Sequence, residues 1–454
     1  MKTVVYRMSD YRKLEDIFWW YQDLDDAVFL DSSLEGDTGR YCMVGLYPYL
    51  IFKEENGILY CNGKPQEGNM EECLDQYLKD HYEDNPFDLP MISGAIGYFS
   101  YDYGRKFEHI LSRHKKKIRM PEAMFVFYDC LLIEDQKEKK LYVAVQGELM
   151  DQKQRIEQIK EEIAQIPYRK SQKDKIHKMA SYQSDFEEEE YKRAIESMME
   201  YMKNGDIYVA NLTHQMTVVS ELKPYEAYEY LRYHNPSPFG GYFQYGNFQI
   251  LCASPERFLR IKDRMIETRP VKGTRKRGKT KQEDEKMYLE LKESVKDRSE
   301  LLMIVDLERN DLNRVCIPGS VKVTKHFEVE TYATVFHLAT YIQGKLRKEC
   351  SVMDIIRGAF PGGSITGAPK IRAMEIIDEL EKSSRGLYTG SIGYLSMNGD
   401  CDLNIVIRTA ICQSGKYHLG AGGGITVESE KDFEYEETLQ KARALLEALG
   451  GIDR

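Results

Sequence analysis

No stretch of this 454-residue chain is apolar over the length a bilayer demands, so nothing in it reads as a membrane span. A secretory signal is missing as well, because Met1 to Tyr21 carries Arg7, Asp10, Arg12 and Lys13 where an uninterrupted apolar core would be needed. Positive charge is not in excess. The net charge of −10 is spread along the chain, which argues against nucleic acid as the main partner. The patch His114 to Lys117 and the run Arg275 to Lys281 read as solvated loops. Cysteine spacing excludes more: Cys42, Cys61, Cys73, Cys130, Cys252, Cys316, Cys350, Cys401 and Cys412 are scattered, with no close pair of the kind that holds zinc or a redox centre. They read as reduced thiols of a cytoplasmic protein. No internal repeat and no low-complexity tract occurs.

What is present is a large globular chain, 42% hydrophobic, long enough for two or three domains or one extended core. Hairpin signals fill the first third. Tyr49 to Lys53 and Ile58 to Cys61 flank the turn dipeptide Asn56-Gly57, and Ala123 to Ile133 faces Lys140 to Val145 across a charged turn. Helical spacing takes over at Ile156, Ile159, Ile163 and Ile166 and stops at Pro167. Residues 167–184 then read as a linker or surface crossover between a β-rich region, 1–166, and a second region, 185–454, of the same compact fold. In the second region, Ser184 and Glu187 resemble a capping box ahead of a helix ending at Asn204-Gly205, and Ile207 to Leu212 reads as a buried strand. Glu283 to Leu312 is helical with a break and second cap at Ser294, and Pro369 to Leu380 is helical. A meander follows through Ser391 to Leu395, Leu403 to Ile411 and Tyr417 to Leu419, and a last helix runs from Lys431 to Leu449. Strands and helices come in clusters, which predicts an α+β fold with antiparallel sheets.

The stretch Ser254 to Thr274 reads as a hairpin holding Glu256 at the start of one strand and Lys272 just past the end of the other. A carboxylic acid beside a lysine can act as general acid and nucleophile; the same pattern also describes an ordinary ion pair. Asp297 with Glu300, and Glu434 with Glu437, each place two carboxylates on one helical face. Facing one another they would suit a hard cation such as Mg²⁺, and apart they are solvated acidic faces. Pro361 to Lys370 is glycine-rich but fails the P-loop pattern at Ala368. Gly420 to Gly424 follows a strand and is either a tight turn or a backbone approach to a carboxylate. Arg408, within the strand Leu403 to Ile411, needs an acidic partner or an anionic ligand.

Taken in order, Ser254-Pro-Glu-Arg-Phe, Thr268-Arg-Pro-Val-Lys-Gly-Thr274, Lys296-Asp-Arg-Ser-Glu300, Ile304 to Leu312, Pro361 to Lys370, Gly390-Ser-Ile-Gly-Tyr394 and Gly420 to Ile425 resemble the chorismate-utilising enzymes. The likeness is strong over about 185–449 and weaker before it. It implies a large antiparallel β-sandwich with helices packed outside and chorismate bound between. It further implies Mg²⁺ at Glu300 and Glu437, supported by Asp297 and Glu434. Tyr388 and Arg408 would hold the enolpyruvyl carboxylate, Gly422, Gly423, Gly424 and Lys441 the anion sites, and Gly273, Thr274, His337 and Thr366 the edge of the ring. Glu256 and Lys272 would be catalytic. Within the family the chain is most similar to the branch that aminates chorismate at C4 on the way to para-aminobenzoate and folate, because Lys272 stands where the anthranilate, isochorismate and salicylate synthases carry a small residue. Val209, where the family usually has glutamine or a water-activating lysine, disfavours the last two. No Gly-x-Cys-x-Gly elbow occurs, so the resemblance implies ammonia delivered by a separate glutamine amidotransferase subunit. Rival readings are the anthranilate-forming branch and a non-catalytic amino-acid-binding relative. Asp31, Ser32, Arg40 and Asn235-Pro236-Ser237-Pro238 resemble parts of a pocket in which some relatives hold tryptophan.

Overall fold

The strand signals of the first third become long antiparallel ladders in the computed structural model, which describes residues 2–34, 36, 38–169, 180–332 and 335–450. Tyr41–Glu55 turns at Asn56-Gly57 into Ile58–Cys61 and pairs along its length with Ala123–Asp135, which turns back into Lys140–Val145. Every strand pairing among the described residues is antiparallel. The architecture is thus α+β, with helices packed on antiparallel sheet.

The two regions read from the sequence share their hydrogen bonding. Gly94–Phe99 lies between Ala123–Asp135 and Ser391–Ser396, and Val28–Asp31 pairs with Phe239–Tyr245. Of the expected linker, 170–179 lie outside the described residues, and Ser181–Ser184 is a strand on the edge of Val209–Val219. The helix after it is capped one turn later than the sequence suggests. Glu187 and Glu190 form the capping box of Glu188–Lys203, while the Ser184 hydroxyl is bonded instead to His214 Nδ1 and the Phe186 N–H.

The break at Ser294 is real: its hydroxyl accepts from the Asp297 N–H and separates Lys281–Glu293 from Val295–Asn313. The second helix buries Leu301, Ile304, Val305 and Leu312. Side chains of that size each contribute about 1.5–3 kcal/mol on burial, so this face fixes the helix to the sheet and leaves its first turn to carry polar groups. The last helix, Lys431–Ala448, does the same through Thr438, Ala442, Leu445 and Leu446.

Three elements differ from expectation. Lys272 is not at the free end of a hairpin but inside a third strand, Val271–Lys276, which pairs with Val335–Lys345 beside Met265–Thr268. Gly420 to Gly424 is no turn; it is the second half of the strand Lys416–Ile425, paired with Val209–Val219. The expected strand Leu403 to Ile411 is cut into Cys401–Asn404 and Thr409–Gln413, with residues 405–408 outside the ladder and Arg408 in a left-handed backbone (φ 49°).

Candidate active site

Three local features aim side chains into one region. Arg257–Lys262 starts directly after Glu256, whose carbonyl accepts from the Ile405 N–H and so anchors the turn. In Val271–Lys276, Lys272 faces Leu338 and Thr274 faces His337, leaving Gly273 as an extra residue between them. Such a bulge bends the strand and re-aims its neighbours. Glycine is required there: φ is 72°, and a Cβ would fall 2.8 Å from Asp297 Cγ. At the left-handed turn, the Arg408 side chain lies within the field of Glu256 and His337.

Glu256 is buried, which raises its pKa above the usual carboxylate range. Lys272, a hydrogen bond from Ser364, Arg269 and Lys441 act in the opposite direction. Its proton is therefore held more tightly than that of an exposed glutamate, among cations that would stabilise the carboxylate once the proton is gone. Burial likewise depresses Arg408, with Glu256 opposing, and among the described residues Arg408 forms no ion pair. A guanidinium in that position is free for an anion. His337 is pushed down to about 3 by burial and by Arg408 and Arg269, so it is neutral, and its Nδ1 lies 3.0 Å from Thr274 Oγ1. Arg269 and Arg275, which flank Lys272 in sequence, are themselves bound to carboxylates: Arg269 to Glu330, and Arg275 to Glu290 and Asp297.

The two acidic pairs do face each other. Glu300 feels Asp297 on its own helix and Glu437 on the last one, and Glu434 feels Glu437. Positive groups are drawn to them: Lys441 Nζ is 2.6 Å from Glu437, Arg275 3.0 Å from Asp297 and Lys296 4.0 Å from Glu300. Among the described residues no group of three or more His, Cys, Asp or Glu is placed to hold a metal ion by itself. A donor set of this kind fits Mg²⁺, which is usually held by one or two carboxylates while water and substrate oxygens complete its shell.

The glycines lie beside these groups. A Cβ on Gly423 would stand 3.0 Å from Glu437 Oε2 and 3.5 Å from Lys441 Nζ, and one on Gly424 3.7 Å from Lys272 Nζ. Gly422 instead packs on the neighbouring strand, and its carbonyl accepts from Lys441 Nζ at 3.1 Å. The ring of buried Tyr388 occupies the place a side chain at Gly420 would need. Thr366 is fully buried and spends its hydroxyl proton on the Gly362 carbonyl at 2.9 Å. By contrast, the surface cleft bordered by Trp19, Arg169 and Glu229 carries none of these groups.

The model of the chorismate binding enzyme family matches residues 30–447. The chain belongs to that family. Among curated members it is 37% identical to aminodeoxychorismate synthase component 1 of Bacillus subtilis (strain 168), over 93% of this chain and 91% of that protein. It is 36% identical to anthranilate synthase component 1 of Acetivibrio thermocellus, over 93% and 90%. Anthranilate synthase component I from Streptococcus pneumoniae TIGR4 superposes with a TM-score of 0.82 at 32% identity, covering 91% of this chain and 93% of that one. The residues just described form the candidate active site of this chorismate binding enzyme.

Sequence reasoning missed Ser364, which bonds Glu256 from within the glycine-rich Pro361 to Lys370 segment. The motif was visible; the distance it closes was not. The candidate tryptophan residues gather only in part. Asp31 accepts from Tyr228 and pairs with Arg232 at 2.7 Å, Ser32 donates to the Pro238 carbonyl, and the Ser237 N–H donates to Ser33. Asn235 caps the preceding helix ahead of Pro236, and Arg40 is directed at Asp135 and Asp88.

Proposed function

We propose that this chorismate-utilising chain aminates its substrate at C4 with ammonia to give 4-amino-4-deoxychorismate, a precursor of para-aminobenzoate and folate. The observation that carries this reading is Lys272. Its amine stands beside Gly424, within the field of Glu256 and Glu300, and has no carboxylate within ion-pair distance among the described residues. An unengaged amine opposite a protonated acid is what displacement of an allylic hydroxyl through a conjugated diene requires.

In that reaction the uncharged Lys272 amine adds at C2, the double bonds shift, and the C4–O bond breaks as Glu256 protonates the departing hydroxyl to water. The lysine nitrogen sheds one proton, which restores the acid form of Glu256. Ammonia then adds at C4, the double bonds shift back, and the C2–N bond breaks. The excess proton on the new C4 ammonium balances the one taken up by the departing lysine. Arg408, with Tyr388 nearby, would hold the enolpyruvyl carboxylate, and neutral His337 with Thr274 would border the ring without adding charge. Mg²⁺, held by Glu300 and Glu437 with Asp297 and Glu434 in support, would neutralise the ring carboxylate. The relatives' designation as component 1 supports a second subunit, a glutamine amidotransferase supplying ammonia.

Chorismate, Mg²⁺ and an ammonium salt should yield a product whose mass retains the enolpyruvyl group; anthranilate with free pyruvate would favour the other branch. Lys272→Arg and Lys272→Ala should both impair amination, and chorismate without ammonia should leave a covalent adduct on the Lys272 peptide. An active Lys272→Arg variant together with an unmodified peptide refutes the covalent route.

A further inference from the structure

Behind Glu256 lies a second buried carboxyl that the reaction above does not use. Glu308 sits two turns along Val295–Asn313 from Glu300 and is 9% exposed. Thr268 Oγ1 is 2.7 Å from Glu308 Oε2 and 2.8 Å from the Phe258 carbonyl oxygen. A hydroxyl has one hydrogen, and a carbonyl can only accept. If the threonine hydrogen goes to Phe258, the carboxyl must itself carry a proton and donate it to Thr268. If Glu308 were ionised, one of the two short contacts would set lone pair against lone pair.

The charges around Glu308 favour the same state. Glu256 faces it from the turn before Arg257–Lys262, and Asp311 lies one turn further along its own helix. Lys370 comes from the Lys370–Leu380 helix, but its amine is 2.6 Å from Asp311 and 2.9 Å from the Ala359 carbonyl. No cation among the described residues pairs with Glu308. Burial, reinforced by Glu256 and Asp311 and opposed by the Thr268 contact and Lys370, pushes its carboxyl up to about 8.

We propose that Glu308 is a positioning residue that works as a protonated acid: its O–H holds Thr268, and with it the hairpin that presents Glu256, and its neutrality lets Glu256 release a proton without creating a second negative charge beside it. The proposal rests on the reading of Glu256 as the general acid. Its first test does not. Infrared difference spectra of wild type against Glu308→Gln should show a protonated carboxyl band at pH 7 that belongs to Glu308 and titrates with a midpoint near 8. Thr268→Val should shift that band, since its hydrogen-bond acceptor is gone.

In turnover with chorismate, wild type should lose about tenfold between pH 7 and 9, because one unit above its pKa about a tenth of an acid stays protonated. Glu308→Gln keeps a neutral donor, so it should stay within twofold of wild type at pH 7 and lack the part of the alkaline fall due to Glu308. Glu308→Leu should be impaired at every pH. Absence of the carboxyl band, or a Glu308→Gln variant whose alkaline fall matches wild type, overturns the proposal. If the band is present but Glu256→Gln retains full turnover, the acid role of Glu256 fails while the protonated state of Glu308 stands.

Discussion

Three consecutive glycines should answer three different questions when each gains a methyl group. In Gly422→Ala the new Cβ would fall 2.3 Å from the Leu212 carbonyl oxygen, a backbone atom of the paired strand that cannot step aside. Forcing an extra methyl into such a place costs about 1–3 kcal/mol. In Gly423→Ala the obstacle is a side-chain oxygen, Glu437 Oε2 at 3.0 Å, and in Gly424→Ala it is Lys272 Nζ at 3.7 Å, ordinary contact distance. Alanine also restricts the unfolded chain, which returns about 0.5–1 kcal/mol at each position. Net stability should therefore fall for Gly422→Ala and stay within about 1 kcal/mol of wild type for the other two.

Activity should follow the opposite order. A methyl placed between Lys272 and a bound substrate should reduce kcat/KM about 10- to 200-fold, the usual penalty for one carbon in a fitted pocket. Gly423→Ala should instead raise the Mg²⁺ concentration needed for half-maximal rate, because Glu437 is the group displaced. Urea unfolding and chorismate turnover on the same preparations read both quantities. A fully active Gly424→Ala, or a Gly422→Ala as stable as its neighbours, would refute this placement of the strand.

Replacing Glu300 or Glu437 with Gln should cripple turnover while leaving the melting temperature nearly unchanged; full activity in excess chelator would exclude the metal. Purified chain should use ammonium but not glutamine, so glutamine-dependent amination by the chain alone would contradict a separate amidotransferase. His214, 1% exposed between Ser184 and Thr438, is depressed by burial to about 4. The unfolded chain then binds the proton first as pH falls, so stability present above pH 6.5 is lost toward pH 4. The loss is about 3 kcal/mol at 1.36 kcal/mol per unit. His214→Gln should show a shallower acid limb in equilibrium unfolding, and an identical limb would count against that burial.

Ordered motifs made the family legible before any coordinate, because glycines and charged residues at fixed spacing leave a trace in sequence. Turns and caps were readable for the same reason: Asn56-Gly57 and Ser294 act within a few residues of themselves. Long-range geometry was not. Lys272 looked like the end of a hairpin because its pairing partner, Val335–Lys345, lies more than sixty residues downstream. Arg408 sits in an apolar alternation that reads as continuous strand, and only the backbone reveals its left-handed turn. Glu308 carries no signal of its own in the sequence, which does not say that Thr268 approaches from the hairpin.

The insertion of Gly94–Phe99 beside Ser391–Ser396 governs how the molecule is made. A ribosome delivers the first of these strands almost three hundred residues before the second. Until then, one edge of a six-residue strand buried along its whole length stays unpaired. Contacts of such long range form slowly, and exposed edges invite association. The nascent N-terminal third therefore exposes a strand edge of the kind that chaperones shield during synthesis. A chain cut short before Ser391 lacks the partner of that edge, so premature termination should yield aggregate rather than a working fragment.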